Sequence, residues 1–500
     1  MHVGRSFKQH PPNGVFDAIV IGSGLGGLIA AAALAKYGQK RVLVLERHYR
    51  IGGYTHVFTR PGYEWDVGVH YVGSVGEHGT LRSLFDRLTE GALRWAPLPD
   101  AYDAIELGER RYELVAGAKN FVAKLALSFP EERAAIEEYV KLVRRTARRG
   151  KLAFVGIAPT RDDRITRDVL LTLTKNEELI AVLTGQYGDY GLTPGVSSFS
   201  IHASVVEHYL EGAFYPVGGA SQFARTLAPV IEAAGGHLAS AAEVQQVILE
   251  DGVAVGVRLV TGEALRAPTI ISDAGAANTF GQLVPGDFPV SPPSSAYLCL
   301  YLGFKHTDAE LGLTGTNLWV YPDERHDENV ARFAADPAAP FPMLYFSFPS
   351  AKDPDFQRRH PGRATAEVIT MASWHWFSKW EGSRWQKRGP EYEALKSAFK
   401  ERLLEAVYRR LPQLRGKVDH AELSTPLSTA HFSGHRRGEI YGLDSSTQRF
   451  ALGLRAKTRI PGLYLTGVDI VSCGVGGAAF GGALCATAIL GPDTLAQLLE

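Results

Sequence analysis

The 500-residue chain has only three cysteines, Cys299, Cys473 and Cys485, and no two of them form a Cys-x-x-Cys pair. An odd, scattered set builds no disulfide framework and points to a reducing compartment. No Cys/His spacing of the zinc type occurs, so no metal site is expected. Neither charge is in excess, because 53 Lys and Arg balance 53 Asp and Glu. Without a basic field, a nucleic-acid partner is not expected. No run of about eighteen apolar residues occurs, so no membrane-spanning helix is predicted. The stretch Gly474 to Leu490 comes nearest, and its glycines suit a buried loop and helix better. The first fourteen residues lack the apolar core of a signal peptide and read as a disordered lead-in. There is no ordered nucleophile–base set of the serine-hydrolase kind. The expectation is a cytoplasmic protein, in solution or peripheral at a membrane surface.

What is present begins with an apolar run, Asp17 to Ile21, that ends in glycines. This pattern predicts a strand buried on both faces of a parallel sheet. Leu28 to Tyr37, rich in Ala and Leu and closed by Gly38, predicts a helix, and Arg41 to Leu45 a second buried strand. Strand, helix and strand within about thirty residues make a βαβ unit. Similar texture returns late. Ala220 to Ala234 predicts a helix, Val244–Leu249, Val253–Val260, Thr269–Ser272 and Leu463–Thr466 predict strands, and Gly474 opens another helix.

Between the first strand and helix lies Gly22-Ser23-Gly24-Leu25-Gly26-Gly27, which fits G-x-G-x-x-G. Gly22 permits the tight turn, Gly24 lets backbone approach a pyrophosphate, and Gly27 lets the helix pack on the strand. The positive helix end then faces the phosphates. Glu46 ends the second strand, 24 positions after Gly22, where a carboxylate can accept from ribose hydroxyls and would repel a 2′-phosphate. Arg47 follows, then Gly52-Gly53-Tyr54-Thr55, a glycine pair and polar stretch of the kind FAD enzymes run beside the flavin. Near the other end, Leu465-Thr466-Gly467-Val468-Asp469 looks like a second FAD-binding turn, whose aspartate reaches the ribityl–pyrophosphate part. The helix opened by Gly474 to Gly477, including Gly476 and Gly477, could stabilise charge on a reduced flavin. FAD is therefore the expected cofactor. No second G-x-G-x-x-G occurs, so no dedicated nicotinamide site is visible; NAD(P)H without its own domain, a quinone and a partner protein stay open as electron sources.

The fold class expected is α/β, a Rossmann-type FAD-binding domain interleaved with an α+β substrate-binding domain. The first takes roughly 15–85, 213–290 and 455–495, and the second roughly 86–212 and 291–454. The second holds every tryptophan except Trp65.

Several stretches carry a family resemblance across nearly the whole chain. They are Gly52 to Phe58, Trp65 to Gly73, Tyr215-Pro216-Val217-Gly218-Gly219-Ala220, Thr425 to Thr429, Gly438 to Leu443 and Gly462 to Leu490. In these the chain resembles the phytoene desaturase superfamily of flavoproteins, and within it the retinol saturases and carotenoid isomerases. The resemblance implies an apolar polyene or isoprenoid substrate. It also implies that Val244 presents its backbone to the adenine and that Gly68, Val69, His70 and Tyr71 lie near the isoalloxazine.

A flavin exchanges a hydride with carbon, and saturating a C=C bond also needs a proton. The candidate donors are His70, Tyr71 and His431, with Tyr54 behind them. Reduction, desaturation and cis–trans isomerisation all suit one hydride path. A non-catalytic prenyl-lipid binder and an amine oxidase are rivals on the same scaffold. A docking segment is expected at 130–157, where Lys141, Arg144, Arg145, Arg148, Arg149 and Lys151 precede the apolar run Leu152 to Ile157. Trp374, Trp376, Trp380 and Trp385 could form an interfacial belt, though core packing is the commoner use of such residues.

Overall fold

A computed structural model describes residues 3–154, 162–286 and 294–500. Its centre is a parallel sheet of six strands in the order Arg5–Ser6, His237–Ser240, Val42–Leu45, Ala18–Ile21, Thr269–Ser272 and Leu463–Leu465. All four residues of Ala18–Ile21 and of Val42–Leu45 are buried, as apolar runs without alternation require. Helix Leu25–Gly38 crosses between these two strands, and Leu25 to Ala35 are all buried. It packs against helices Gly474–Leu490 and Gln222–Ala233. Glycine makes the first approach close: a Cβ on Gly482 would lie 2.6 Å from the Gly26 carbonyl oxygen. Truncating a fully buried leucine here, such as Leu28, to alanine costs about 2–5 kcal/mol.

The amino terminus departs from expectation. Arg5–Ser6 adds a strand to the sheet edge, Arg5 opposite Ala239, and Phe7 is buried behind it. An unpaired strand edge offers backbone donors and acceptors that even a short segment can satisfy. The lead-in is thus tied down.

A three-stranded antiparallel sheet, Val244–Glu250, Val253–Leu259 and Ala264–Arg266, flanks this unit. A larger mixed sheet has seven strands in the order Val418–Ser424, Ala296–Phe304, Ala364–Ala372, Leu344–Ser347, Asn317–Tyr321, Ala101–Leu107 and Arg110–Val115. Only Asn317–Tyr321 with Ala101–Leu107 is parallel. The hairpin Val57–Arg60/Tyr63–Asp66 reaches this sheet: the Trp65 indole donates to the Leu302 carbonyl at 2.9 Å. Its last residue, Asp66, and the loop Val67 to Tyr71 then run along the large sheet.

Trp374, Trp376 and Trp380 are half-buried against the core over that sheet, and Trp385 stacks on His431. They serve packing there. Of the expected docking segment, Arg133–Phe154 is a helix, whereas Val155 to Ile157 lie outside the described residues. Among the described residues, no helix is long and apolar enough to cross a membrane.

Candidate functional site

The glycine loop is shaped by contacts in which a side chain has no room. A Cβ on Gly26 would lie 2.6 Å from the Gly467 Cα, one on Gly27 2.6 Å from the Gly22 carbonyl, and one on Gly53 2.7 Å from the Gly24 Cα. Both glycine turns and the stretch after Glu46 therefore meet at one helix end. Leu25 is buried there. Glu46 accepts from the Ser23 amide at 2.9 Å, the Ser23 hydroxyl at 2.6 Å and the His48 amide at 2.7 Å. Its carboxylate stands where the loop begins, with lone pairs left for a further donor.

A carboxyl group already occupies this cradle. The Asp273 side chain, just past strand Thr269–Ser272, accepts from the amides of Gly27 and Gly24, and burial pushes its carboxyl up to about 8. The amides thus converge on an acidic oxygen, as a diphosphate requires. The donors present fit a dinucleotide, with the condition that Asp273 yields its place or keeps its proton.

Asp469 is buried, with one oxygen accepting from the Leu443 amide at 2.9 Å and the other from the Ala276 amide at 2.6 Å. It ties three segments together behind Gly467. Arg47 pairs with Glu243 at 3.3 Å, adjacent to Val244 at the start of its strand. Thr55 donates back to the Gly52 carbonyl at 2.7 Å, closing that turn. The Tyr54 hydroxyl donates to the Glu439 carbonyl at 3.1 Å, and burial raises its pKa.

A cavity of about 260 Å³ lies at the loop Gly68–Tyr71 and the start of helix Gly474–Leu490, close to the ~300 Å³ lower bound of sites that swallow a drug-sized ligand. Gly68, His70, Tyr71 and Asp189 line one part, and Cys473 to Gly477 another. Leu81, Val205, Phe480, Leu484, Leu495 and Leu499 line an apolar stretch. Helix Gly474–Leu490 starts at this wall, where its unpaired amides favour negative charge.

His431 is not in the cavity. It is exposed and lies flat on Trp385, with ring centroids 4.9 Å apart. His70 is at the wall, but burial, with the Lys352 ammonium nearby, pushes its pKa down to about 3. It is neutral near pH 7 and has no imidazolium proton to give.

Behind His70 and Tyr71 lies a polar cluster for which the sequence reading had no place. Lys352 is buried and donates to the His70 carbonyl at 2.9 Å, to Ser347 Oγ at 2.7 Å and to Asn317 Oδ1. Burial brings its pKa down to about 7 despite carboxyls around it. Those are Asp66, Asp103, Asp189 and Glu367, pushed up by burial to about 7, 6, 8 and 8. One cation cannot balance four carboxylates in a low dielectric, so the cluster keeps protons instead. His70 Nδ1 and Glu367 Oε2 stand 3.2 Å apart, yet neither atom has an aligned hydrogen-bond partner. The signal that could have found the cluster was a charge inside a buried strand, as in Ala101-Tyr-Asp-Ala-Ile105 and Ala364-Thr-Ala-Glu-Val368.

Among the described residues no group of His, Cys, Asp and Glu could hold a metal. The fold and the glycine-loop site define a dinucleotide-dependent oxidoreductase of the flavoprotein kind. Residues 20–88 match the model of the NAD(P)-binding Rossmann-like domain. The chain is 38% identical to the all-trans-retinol 13,14-reductase of Homo sapiens, over 97% of this chain and 87% of that protein. It is 36% identical to that of Danio rerio, over 95% and 86%. The chain belongs to the all-trans-retinol 13,14-reductase family. It is also 27% identical to the chloroplastic prolycopene isomerase of Arabidopsis thaliana, over 96% and 83%. An oxidoreductase from Methanosarcina mazei has the same fold, with a TM-score of 0.64 at 18% identity, over 95% of this chain and 99% of that one.

Proposed function

We propose that this protein binds FAD and reduces a C=C bond of an apolar, retinoid-like polyene. One observation carries the reading: the cavity joins the Gly68–Tyr71 stretch and the amino end of helix Gly474–Leu490 to an apolar lining reaching Leu495 and Leu499. A long hydrocarbon suits that lining, and each CH₂ withdrawn from water favours binding by about 0.8 kcal/mol.

In this reading Gly22 to Gly27 hold the diphosphate, Glu46 the adenosine ribose, Val244 the adenine, and Gly467, Gly476 and Gly477 with Asp469 the ribityl and ring side. Bound FAD supplies the hydride. The chain's own residues do the rest. Tyr71 lies flat on Tyr209, ring centroids 4.2 Å apart, and gives the polyene a wall that excludes water. Segments 15–85, 213–290 and 455–495 serve the cofactor, and the large sheet with its helices serves the substrate.

The protein, purified and given FAD, should be yellow. Anaerobically reduced protein offered all-trans-retinol should yield a product two mass units heavier. An unchanged mass with altered geometry would favour isomerisation, the activity named in the prolycopene isomerase relative. A colourless protein that takes up no FAD would leave only lipid binding. NAD(P)H is the first electron donor to test, read as anaerobic bleaching of the bound flavin.

A membrane-surface position is part of the proposal. Ala147 lines the cavity, and on the same helix Arg145, Arg148 and Arg149 are exposed. A basic patch beside a cavity that takes hydrocarbon suits exchange with an anionic bilayer.

A further inference from the structure

Reduction of a C=C bond needs a proton, and the neutral His70 does not supply it. We propose that the carboxyl of Asp189 is the proton donor to the substrate carbon, with Tyr71 as the positioning residue that ties it to Asp103. The inference rests on the polyene-reducing reading above.

The geometry requires a proton at this place. The Tyr71 hydroxyl lies 2.8 Å from Asp189 Oδ2 and 3.1 Å from Asp103 Oδ2. A hydroxyl has one hydrogen and can donate to only one carboxylate; the second short contact needs a proton on the other carboxyl. Asp103 is the better-held anion, because it accepts from Gln186 Nε2 at 2.8 Å and from Asn317 Nδ2 at 2.9 Å. The chain of donors therefore runs from protonated Asp189 to Tyr71 to ionised Asp103. Of the two acids only Asp189 lines the cavity. Its raised pKa, driven by burial and then by Asp103, agrees with a proton kept at neutral pH.

Other cavity groups are poorer donors, and the second carboxyl at the wall, Glu207, is paired with Arg144 at 3.8 Å. His208 accepts the Gly73 amide on Nε2 at 2.8 Å, which makes that ring neutral. The Cys473 thiol, pushed up by burial to about 11, and the phenol of Tyr441, raised well above its ordinary value, hold their protons too tightly.

The step balances. The C=C π bond breaks and two C–H bonds form. Two electrons and one hydrogen arrive as hydride from the reduced cofactor of the proposed function. The second hydrogen arrives as a proton from Asp189, whose carboxylate then regains one from solvent.

The test uses FAD-loaded wild type, Asp189→Asn and Asp189→Glu. The infrared difference between wild type and Asp189→Asn, which needs no substrate, should show one protonated carboxyl near pH 7 that disappears as pH rises past about 8. The charged and titrating neighbours facing Asp189 are Asp103, Lys352, Tyr71, Tyr190, Tyr209, Tyr297, Tyr321, Tyr345, Tyr441 and Cys473; of these, Lys352 titrates near 7 but moves no carboxyl band, and Asp103, near 6, is ionised before the rise past pH 8 that reads Asp189. Re-oxidation of the reduced protein by all-trans-retinol should slow about 100-fold in Asp189→Asn. Asp189→Glu should keep most of the rate, and all three should carry equal FAD per chain. A difference spectrum without that carboxyl, or wild-type speed in Asp189→Asn, overturns the proposal. If wild type reduces no polyene offered, the functional reading fails instead, and the infrared result still decides whether Asp189 holds the proton.

Discussion

Gly53 sits directly against Gly24: a methyl group on the first would come 2.7 Å from the Cα of the second, and Gly53 has a φ of +53°. The loop after Glu46 is thus pressed onto the phosphate turn with nothing between them. Gly53→Ala should push the two apart and add backbone strain of about 1–3 kcal/mol. The absorbance ratio of purified protein should report at least about tenfold less bound FAD. Full occupancy would show that the turn has slack.

The Asp273 carboxyl stands among the amides that a diphosphate needs. It is neutral below about 8 and ionised above. FAD affinity should therefore fall as pH rises through that value, by up to roughly tenfold per pH unit. Asp273→Asn should remove the dependence. Calorimetric titration of the apoprotein with FAD at several pH values checks this.

Lys352 holds three backbone and side-chain oxygens from buried positions and is the cation among four buried carboxyls. Lys352→Met should cost about 3–5 kcal/mol, read as a lower urea midpoint. An unchanged midpoint would mean that the cluster is already neutral without it.

Stability should fall between about pH 6.5 and pH 8. Asp66, Asp189, Asp273 and Glu367 have folded pKa values near 7 or 8, against 3.8 for free Asp and 4.5 for free Glu. Across that window the folded chain binds more protons than the unfolded one, so raising pH favours unfolding. His48, His70, His202 and His326, lowered from 6.5 to about 4, 3, 3 and 4, act in the opposite sense below about pH 6.5, and Lys352, lowered from 10.5 to about 7, does so above pH 7. Urea midpoints of the apoprotein at pH 6.5 and 8 check the sign, and Asp189→Asn should narrow the gap.

Arg145, Arg148 and Arg149 are exposed on the helix that contributes Ala147 to the cavity. Replacing all three by Gln should reduce co-sedimentation with vesicles containing phosphatidylserine by roughly 100-fold, since each is worth about 1 kcal/mol at such a surface. Turnover of retinol dissolved in detergent should not change. Equal sedimentation would remove this helix as the dock.

The strands Ala18–Ile21 and Val42–Leu45 and the helix between them were legible because their pattern is local. Four apolar residues in a row, a glycine turn and an alanine-rich stretch state burial and curvature without reference to anything distant. The turn at Gly467–Asp469 was legible for the same reason. His431 was misplaced because the same local view cannot tell which way a helix faces: it packs on Trp385, 46 positions away.

The sequence by itself determined the strand–turn–helix of a dinucleotide-binding domain, because the glycines and apolar runs that shape it are neighbours in the chain. Only the tertiary structure decided where protons are held. Asp66 and Glu367 are 301 positions apart and meet through one amide hydrogen bond; Tyr71 meets Asp189 across 118. Whether an acid is charged depends on the solvent it loses and the partners it gains on folding. No spacing along the chain records either quantity.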